Sequence, residues 1–129
     1  MKFLLDTHTL LWVLSDDPRL GERAKSEVLA KDNQLFFSFA SYWEICIKVN
    51  LGKLCLKEGW PELLDNEMDR LGISRLAIRQ QHLLGVLKLP FYHRDPFDRL
   101  LIAQAACEAL TIITADPNIA RYDIPCILF

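Results

Sequence analysis

Apolar residues in this chain gather in short unbroken runs, and between the runs they recur at helical spacing. KFLL (2–5), QLFFS (34–38), ISRLAI (73–78), TIIT (111–114) and CILF (126–129) read as strands. THTLLWVLS (7–15), GERAKSEVLAKD (21–32), SYWEICIKVNLGKL (41–54), PELLDNEMDRL (61–71), RQQHLLGVL (79–87) and a long stretch from Pro96 to about Ala109 read as helices. Pro61 opens the fourth of these and Gly72 closes it, which is the expected punctuation. In the third, Trp43, Ile47 and Leu51 share one face while Ser41, Glu44 and Lys48 share another. DDPRL and KLPFYHR are connecting turns and loops. Short apolar strands alternating with helices imply a parallel sheet covered on both faces, an α/β/α sandwich. At 129 residues the expectation is a single domain spanning 1–129.

Composition adds little to that picture but excludes some functions. A chain that is 51% hydrophobic and 25% charged is globular, with a mild apolar excess that suits a surface buried against a partner. A net charge of −2 provides no basic field, so any nucleic acid must be handled through a local site. Cys46, Cys55, Cys107 and Cys126 lack C-x-x-C spacing, and three of them have apolar neighbours. They are expected as buried thiols, not as a zinc site or disulfides, which suits the reducing cytoplasm. No signal peptide or membrane span is expected, because Asp6 interrupts the first apolar run and TLLWVL is too short.

The candidate chemistry lies in carboxylates. Ligands of open α/β sheets bind beyond the C-terminal strand ends, and Asp6 and Asp116 fall at such ends. Glu44 lies one turn into the helix that follows QLFFS. Asp98 opens the helix leading into the Asp116 strand. In a simple antiparallel arrangement its start is expected near that strand's opposite end, so the pattern does not bring Asp98 to the other acids. Each acid also has a structural explanation. Asp95 before Pro96 is a good N-cap and Asp98 has capping-box spacing, Asp116–Pro117 invites the same account, and Glu44 with Lys48 is an ordinary i,i+4 pair. Asp6, between a buried strand and an apolar helix, is the hardest to explain as structural, although it could cap through the backbone of His8 or Thr9. Asp17–Pro18, with no strand before it, reads as a plain turn. Acids converging on one cleft would raise each other's pKa values, and a divalent cation with a taste for oxygen ligands, Mg²⁺ or Mn²⁺, removes the conflict.

LLDTHTLLW, SYWEICIKVNLGKL, HRDPFDRLLIAQA and TADPNIARY, in this order and spacing, together resemble PIN-domain proteins of the VapC toxin type over nearly the whole chain. The resemblance implies an α/β/α sandwich that gathers Asp6, Glu44, Asp98 and Asp116 into one catalytic cleft. Asp6, Asp98 and Asp116 would hold metal, and Glu44 would orient or deprotonate the attacking water. Asp95, Thr114, Thr7 and Ser41 would be accessory. It further implies cleavage of RNA with Mg²⁺ or Mn²⁺, a cognate antitoxin whose tail covers apolar grooves, and dimerisation or a toxin–antitoxin hetero-oligomer. Trp12, Trp43 and Trp60 are candidates for such a groove. Lys48, Arg94, Arg99 and His93 are candidates for holding the RNA.

Two rivals belong to other classes. A phosphatase of the haloacid-dehalogenase type needs a second Asp two residues after Asp6, where this chain has His8. A non-catalytic α/β interaction module would use its acids only as helix caps. HRD also occurs in the kinase catalytic loop, but the chain is too short for a kinase and has no Gly-rich phosphate loop.

Overall fold

The computed structural model describes residues 1–129. Strands β1 (Lys2–Leu5), β2 (Gln34–Ser38), β3 (Ile73–Leu76), β4 (Thr111–Thr114) and β5 (Cys126–Leu128) form one sheet in the order β3-β2-β1-β4-β5. All four neighbouring pairs are parallel. The helices are α1 (Thr7–Leu14), α2 (Glu22–Leu29), α3 (Phe39–Asn50), α4 (Trp60–Arg70), α5 (Gln80–Val86) and α6 (Pro96–Glu108).

Strand alternation divides the core into two layers. Phe3, Leu5, Leu35, Phe37 and Ile113 point to one face and pack with Leu10 of α1, Ala24 and Val28 of α2, and Leu64 and Met68 of α4. Leu4 and Ile112 point to the other and pack with Leu100, Leu101, Ile102 and Ala105 of α6. Because both faces are covered, the strands are continuously apolar, and each buried Leu, Ile or Phe stabilises the fold by about 1.5–3 kcal/mol. The three-layer α/β/α sandwich is the architecture expected from the pattern.

Several boundaries move for local reasons. The third strand stops at Leu76, because the Ala77 carbonyl accepts from Gln104 Nε2 (3.3 Å) instead of a strand neighbour. The third helix starts at Phe39, earlier than expected, since Ser38 Oγ caps it by accepting from Ala40 N (3.0 Å). It ends at Asn50, where Lys53 and Leu54 N–H groups both turn back to the Lys48 carbonyl (2.8 and 3.2 Å). The second helix stops at Leu29.

Two sequence expectations are corrected. Cys46, Cys55 and Cys107 are exposed and Cys126 half-buried, so the thiols are free but not core residues. Cys46 and Cys107 sit on outward helix positions, where apolar sequence neighbours belong to a different face. The placement of Asp98 is also revised. Only Ala109 and Leu110 separate α6 from β4, and Ala109 takes a left-handed conformation (φ 56°, ψ 48°) that reverses the chain. Leu110 N then donates to the Ala105 carbonyl (2.9 Å) and closes the helix. A helix running antiparallel above the strand it feeds must start at that strand's C-terminal end. Asp98 therefore arrives at the same edge as Asp116.

The chain moves outward from β1 to β2 and β3, then crosses to β4 on the other side of β1. The topological switch point lies between β1 and β4, and the acids sit above it.

Ala109 is exposed, so its side chain contributes little packing, while its left-handed backbone costs about 1 kcal/mol relative to glycine. Ala109→Gly is expected to raise stability by about 0.5–1 kcal/mol, measured as a higher urea midpoint at unchanged slope.

Candidate active site

Asp6 is the N-cap of α1 and is buried at the head of the central strand. Its Oδ1 accepts from the Thr9 backbone N–H (2.9 Å) and from Thr9 Oγ1 (2.6 Å). Its Oδ2 accepts from Thr114 Oγ1 at the end of β4 (2.6 Å). Burial pushes the Asp6 carboxyl above its ordinary range, and the hydrogen bonds from Thr114 and Thr9 work in the opposite direction. Thr114 Oγ1 also accepts from Asp116 N (2.9 Å), and Asp116 Oδ1 accepts from Asn118 N (2.9 Å), so Asp116 shapes the turn after β4.

Glu44 is buried on the inward face of α3 with Ala40, Ser41 and Ile45. Its Oε1 accepts from Thr7 Oγ1 (2.6 Å), and its Oε2 pairs with Lys48 Nζ (2.6 Å). The face that carries Trp43 and Leu51 is the exposed one, at 57% and 61%. The inward face of α3 is thus mixed, with Ser41 and Glu44 beside the core residues Ala40 and Ile45. Ser41 Oγ is fully buried and has no hydrogen-bond partner.

Asp95 caps α6, its Oδ1 accepting from Phe97 N (2.9 Å) and Asp98 N (3.0 Å). Asp98 does not reciprocate as a capping-box partner; its Oδ2 faces His93 Nε2 (3.2 Å). The Asp98 carboxyl is pushed up to about 8, by burial first and then by the charges of Asp95, Asp116, Glu44 and Asp6. That mutual repulsion is the signature of convergence. Acids from three distant segments, together with neighbouring Asp95, bear on one carboxylate, and the donor set is oxygen only. By its chemistry such a set suits a hard divalent cation, which would relieve the repulsion among the carboxylates, and no three of these acids bring ligand oxygens within 4.8 Å of one another.

A PIN domain profile matches residues 3–125. The chain belongs to the PIN domain family. With membership comes the family's general chemistry, nucleic-acid cleavage that depends on divalent metal. No curated protein matches the chain. Solved structures give the same fold at low identity. The chain is similar to the Rickettsia felis VapBC2 structure, determined with a promoter DNA fragment, at 18% identity and a TM-score of 0.76, covering 99% of this chain and 98% of that one. It is similar to VapBC-1 of nontypeable Haemophilus influenzae at 19% identity and a TM-score of 0.69, again covering 99% and 98%. For FitAcB of Neisseria gonorrhoeae the values are 19% and 0.64, with 97% and 96% covered.

Within this PIN domain, two of the cations expected to hold RNA are engaged elsewhere. Arg99 is buried, and its guanidinium donates to the carbonyls of Pro90 (2.7 Å), Leu89 (3.3 Å) and Val86 (3.5 Å) and to Tyr122 Oη (3.0 Å). It is a structural clamp on the 86–90 segment, and its N–H groups are unavailable to phosphates. His93 is half-buried with both ring nitrogens occupied, Nδ1 by Tyr122 Oη (2.8 Å) and Nε2 by Asp98. Arginine can only donate, so the Tyr122 hydroxyl oxygen accepts from Arg99, and the same hydroxyl pairs with His93 Nδ1. His93 Nε2 in turn holds Asp98 Oδ2 and orients that carboxyl group. Lys48 is tied to Glu44, whereas Arg94 is exposed and forms no ion pair.

Sequence reasoning missed the Thr9 hydroxyl and the whole of Tyr122. Thr9 sits three residues after the cap, a spacing at which a side chain returns to the helix N-terminus. Tyr122 lies far along the chain in an irregular segment and gave no local signal. A second cluster, His82, Cys107 and Glu108, lies at the other end of α6. His82 Nδ1 accepts from Arg79 N (3.0 Å), so Nε2 carries the proton and donates to Glu108 Oε1 (2.9 Å). That tautomer leaves no lone pair for a metal.

Two outcomes follow. The folded Asp98 pKa lies above the ordinary carboxylate value of 3.8, so the metal-free fold binds an extra proton and loses stability as pH rises from about 4 to about 8. Asp98→Asn removes this loss. It is expected to melt higher than wild type at pH 8, by on the order of 1–3 kcal/mol, with the difference vanishing near pH 4. Mn²⁺ at pH 7.5 should raise the midpoint of wild type and leave the variant unmoved. Arg99→Ala, in contrast, removes the donor shared by the Pro90 and Leu89 carbonyls and the buried Tyr122 hydroxyl, and is expected to cost about 2–4 kcal/mol in urea denaturation.

Proposed function

We propose that this PIN domain is a Mg²⁺- or Mn²⁺-dependent endoribonuclease and the toxin of a toxin–antitoxin pair. The observation that carries the reading is the Asp98 carboxyl, desolvated and pressed by the charges of Asp95, Asp116, Glu44 and Asp6. A structural module whose acids merely cap helices has no reason to set them against one another.

Asp6, Asp98 and Asp116 would hold the cation. When bound, it offsets charge on the phosphodiester and lowers the pKa of a water positioned for in-line attack. The protein's own residues prepare that geometry. Thr9 and Thr114 fix both Asp6 oxygens in place, so Asp6 enters the reaction already oriented. His93 does the same for Asp98 Oδ2. Thr7 holds Glu44 Oε1, and Oε2, paired with Lys48, is the proposed acceptor for the proton of the attacking water. The buried Ser41 hydroxyl adds a free hydrogen-bonding group on the Glu44 face.

The VapBC and FitAB neighbours are complexes of two proteins, and an antitoxin partner is proposed here by analogy. Its binding place is a groove of about 720 Å³ between α1 and α4, walled by Leu11, Trp12, Leu54, Trp60 and Leu63 and rimmed by Arg19 and Glu67. Such a wall suits the apolar stripe of a peptide segment. Trp43 lies outside it, edge-on to Phe97 at 5.2 Å. Self-association is assigned to the exposed apolar residues Trp43, Leu83, Leu84 and Leu87 of α3, α5 and the turn after it. No helix is long and apolar enough to cross a membrane.

The test is cleavage of end-labelled RNA by partner-free protein. Wild type is expected to cut with Mn²⁺ and to stop with EDTA, and Asp98→Asn to lose at least about a hundredfold in rate. Equal cleavage by wild type and variant, or cleavage in EDTA, would sink the assignment.

A further inference from the structure

Phe91 stands 82% exposed beside the candidate site, and the loop that carries it is held unusually firmly. Arg99 binds the carbonyls of Leu89 and Pro90 from below (3.3 and 2.7 Å). Arg121 Nη1 donates to the Tyr92 carbonyl (2.8 Å). The Tyr92 ring meets Tyr122 edge-on at 5.0 Å, and His93 is bonded to the Tyr122 hydroxyl (2.8 Å). The Phe91 ring itself lies over the Arg99 guanidinium at 4.2 Å, and Arg121 lies over the Tyr92 ring at 5.0 Å. Two aromatic rings are therefore fixed by buried or clamped cations, with area open to solvent, in a segment that runs directly into His93 and Asp98.

Packing does not account for this arrangement. A loop built only to connect α5 with α6 gains nothing by presenting a phenyl ring to water, and burying an arginine beneath neutral carbonyls is costly. What the arrangement provides is a rigid π surface whose ordering cost is already met on folding. Cationic groups accompany it: Arg94 is exposed and unpaired, and Arg121 borders the Tyr92 ring.

We infer that Phe91 and Tyr92 form a stacking platform for unpaired nucleobases, which seats a single-stranded stretch of RNA leading into the acidic cleft, with Arg94 and Arg121 against its backbone. This rests on the nuclease reading above and adds the residues that seat the substrate. Every base has a π face, so a platform of this kind selects strand state over sequence. It also explains how a chain of net charge −2 grips a polyanion beside a cluster of acids: the grip is through the bases, with only a few local cations. A rival occupant, a second copy of the chain, is less well matched, because the ring is interleaved with arginines that a like copy would bring face to face.

The experiment compares wild type, Phe91→Ala, Phe91→Trp and Leu29→Ala, the last an exposed leucine at the end of α2, outside the platform. Binding of a labelled, unstructured RNA is followed by fluorescence anisotropy with Ca²⁺ replacing Mn²⁺. Cleavage is followed separately with Mn²⁺, and association state by sedimentation velocity. Phe91→Ala is expected to weaken binding about 5- to 100-fold and to raise KM accordingly, Phe91→Trp to restore both, and Leu29→Ala to match wild type. Wild-type affinity in Phe91→Ala, no RNA binding by wild type, or a loss in Phe91→Ala that coincides with dissociation of a dimer would each overturn the platform. Phe91-dependent binding without any cleavage would instead sink the nuclease reading and leave the platform standing.

Discussion

The carboxylate of Asp6 is the constraint around which the rest of this protein is arranged. It stands at the head of the central strand, inside the fold, where a lone charge is strongly disfavoured. Its two oxygens are satisfied from opposite sides, by Thr9 in the helix that follows and by Thr114 on the neighbouring strand. Those bonds fasten β4 to the start of α1 and so determine where the Asp116 turn begins. Glu44 repeats the device with Thr7 and Lys48. The site is polar machinery held by hydroxyl groups, which neither titrate nor add charge, in a region already crowded with acids.

α3 shows the same priority in packing. Its apolar residues Trp43 and Leu51 face outward while Ser41 and Glu44 face inward. Its inward face also carries the core residues Ala40 and Ile45, so polar and apolar groups share it. The helix is held in this orientation by the Ser38 cap, by Ala40 and Ile45 in the core, and by the Thr7–Glu44 hydrogen bond. Apolar surface is thereby left on the outside, where partners can reach it.

Most of the architecture was legible in the chain, because the physics involved is local. Strand runs such as KFLL and TIIT, the Pro61 start and the Asp95–Pro96 cap each declare themselves within a few residues. So did the positions of Asp6 and Asp116 at strand ends. What was not legible depends on which residues meet across the fold. Arg99 and His93 look like free cations in sequence, and only the approach of Tyr122 and of the 86–90 carbonyls reveals them as clamps. The cysteines misled because apolar neighbours in a helix lie on other faces. Asp98 was misplaced by reasoning about the direction of α6 without following its tight reversal at Ala109 into β4.

The central position of β1 bears on how the protein comes into being. Its partners are β2 and β4, and the Thr114–Asp6 bond joins residues 108 apart in sequence. During synthesis the first strand leaves the ribosome long before β4 exists, and must wait with one edge unpaired. The Asp116 carboxylate follows β4 directly and emerges only after it. A cleft whose walls come from segments this far apart closes only once β4 and the turn after it have been made, so the complete site exists in the finished fold and in no shorter fragment of it.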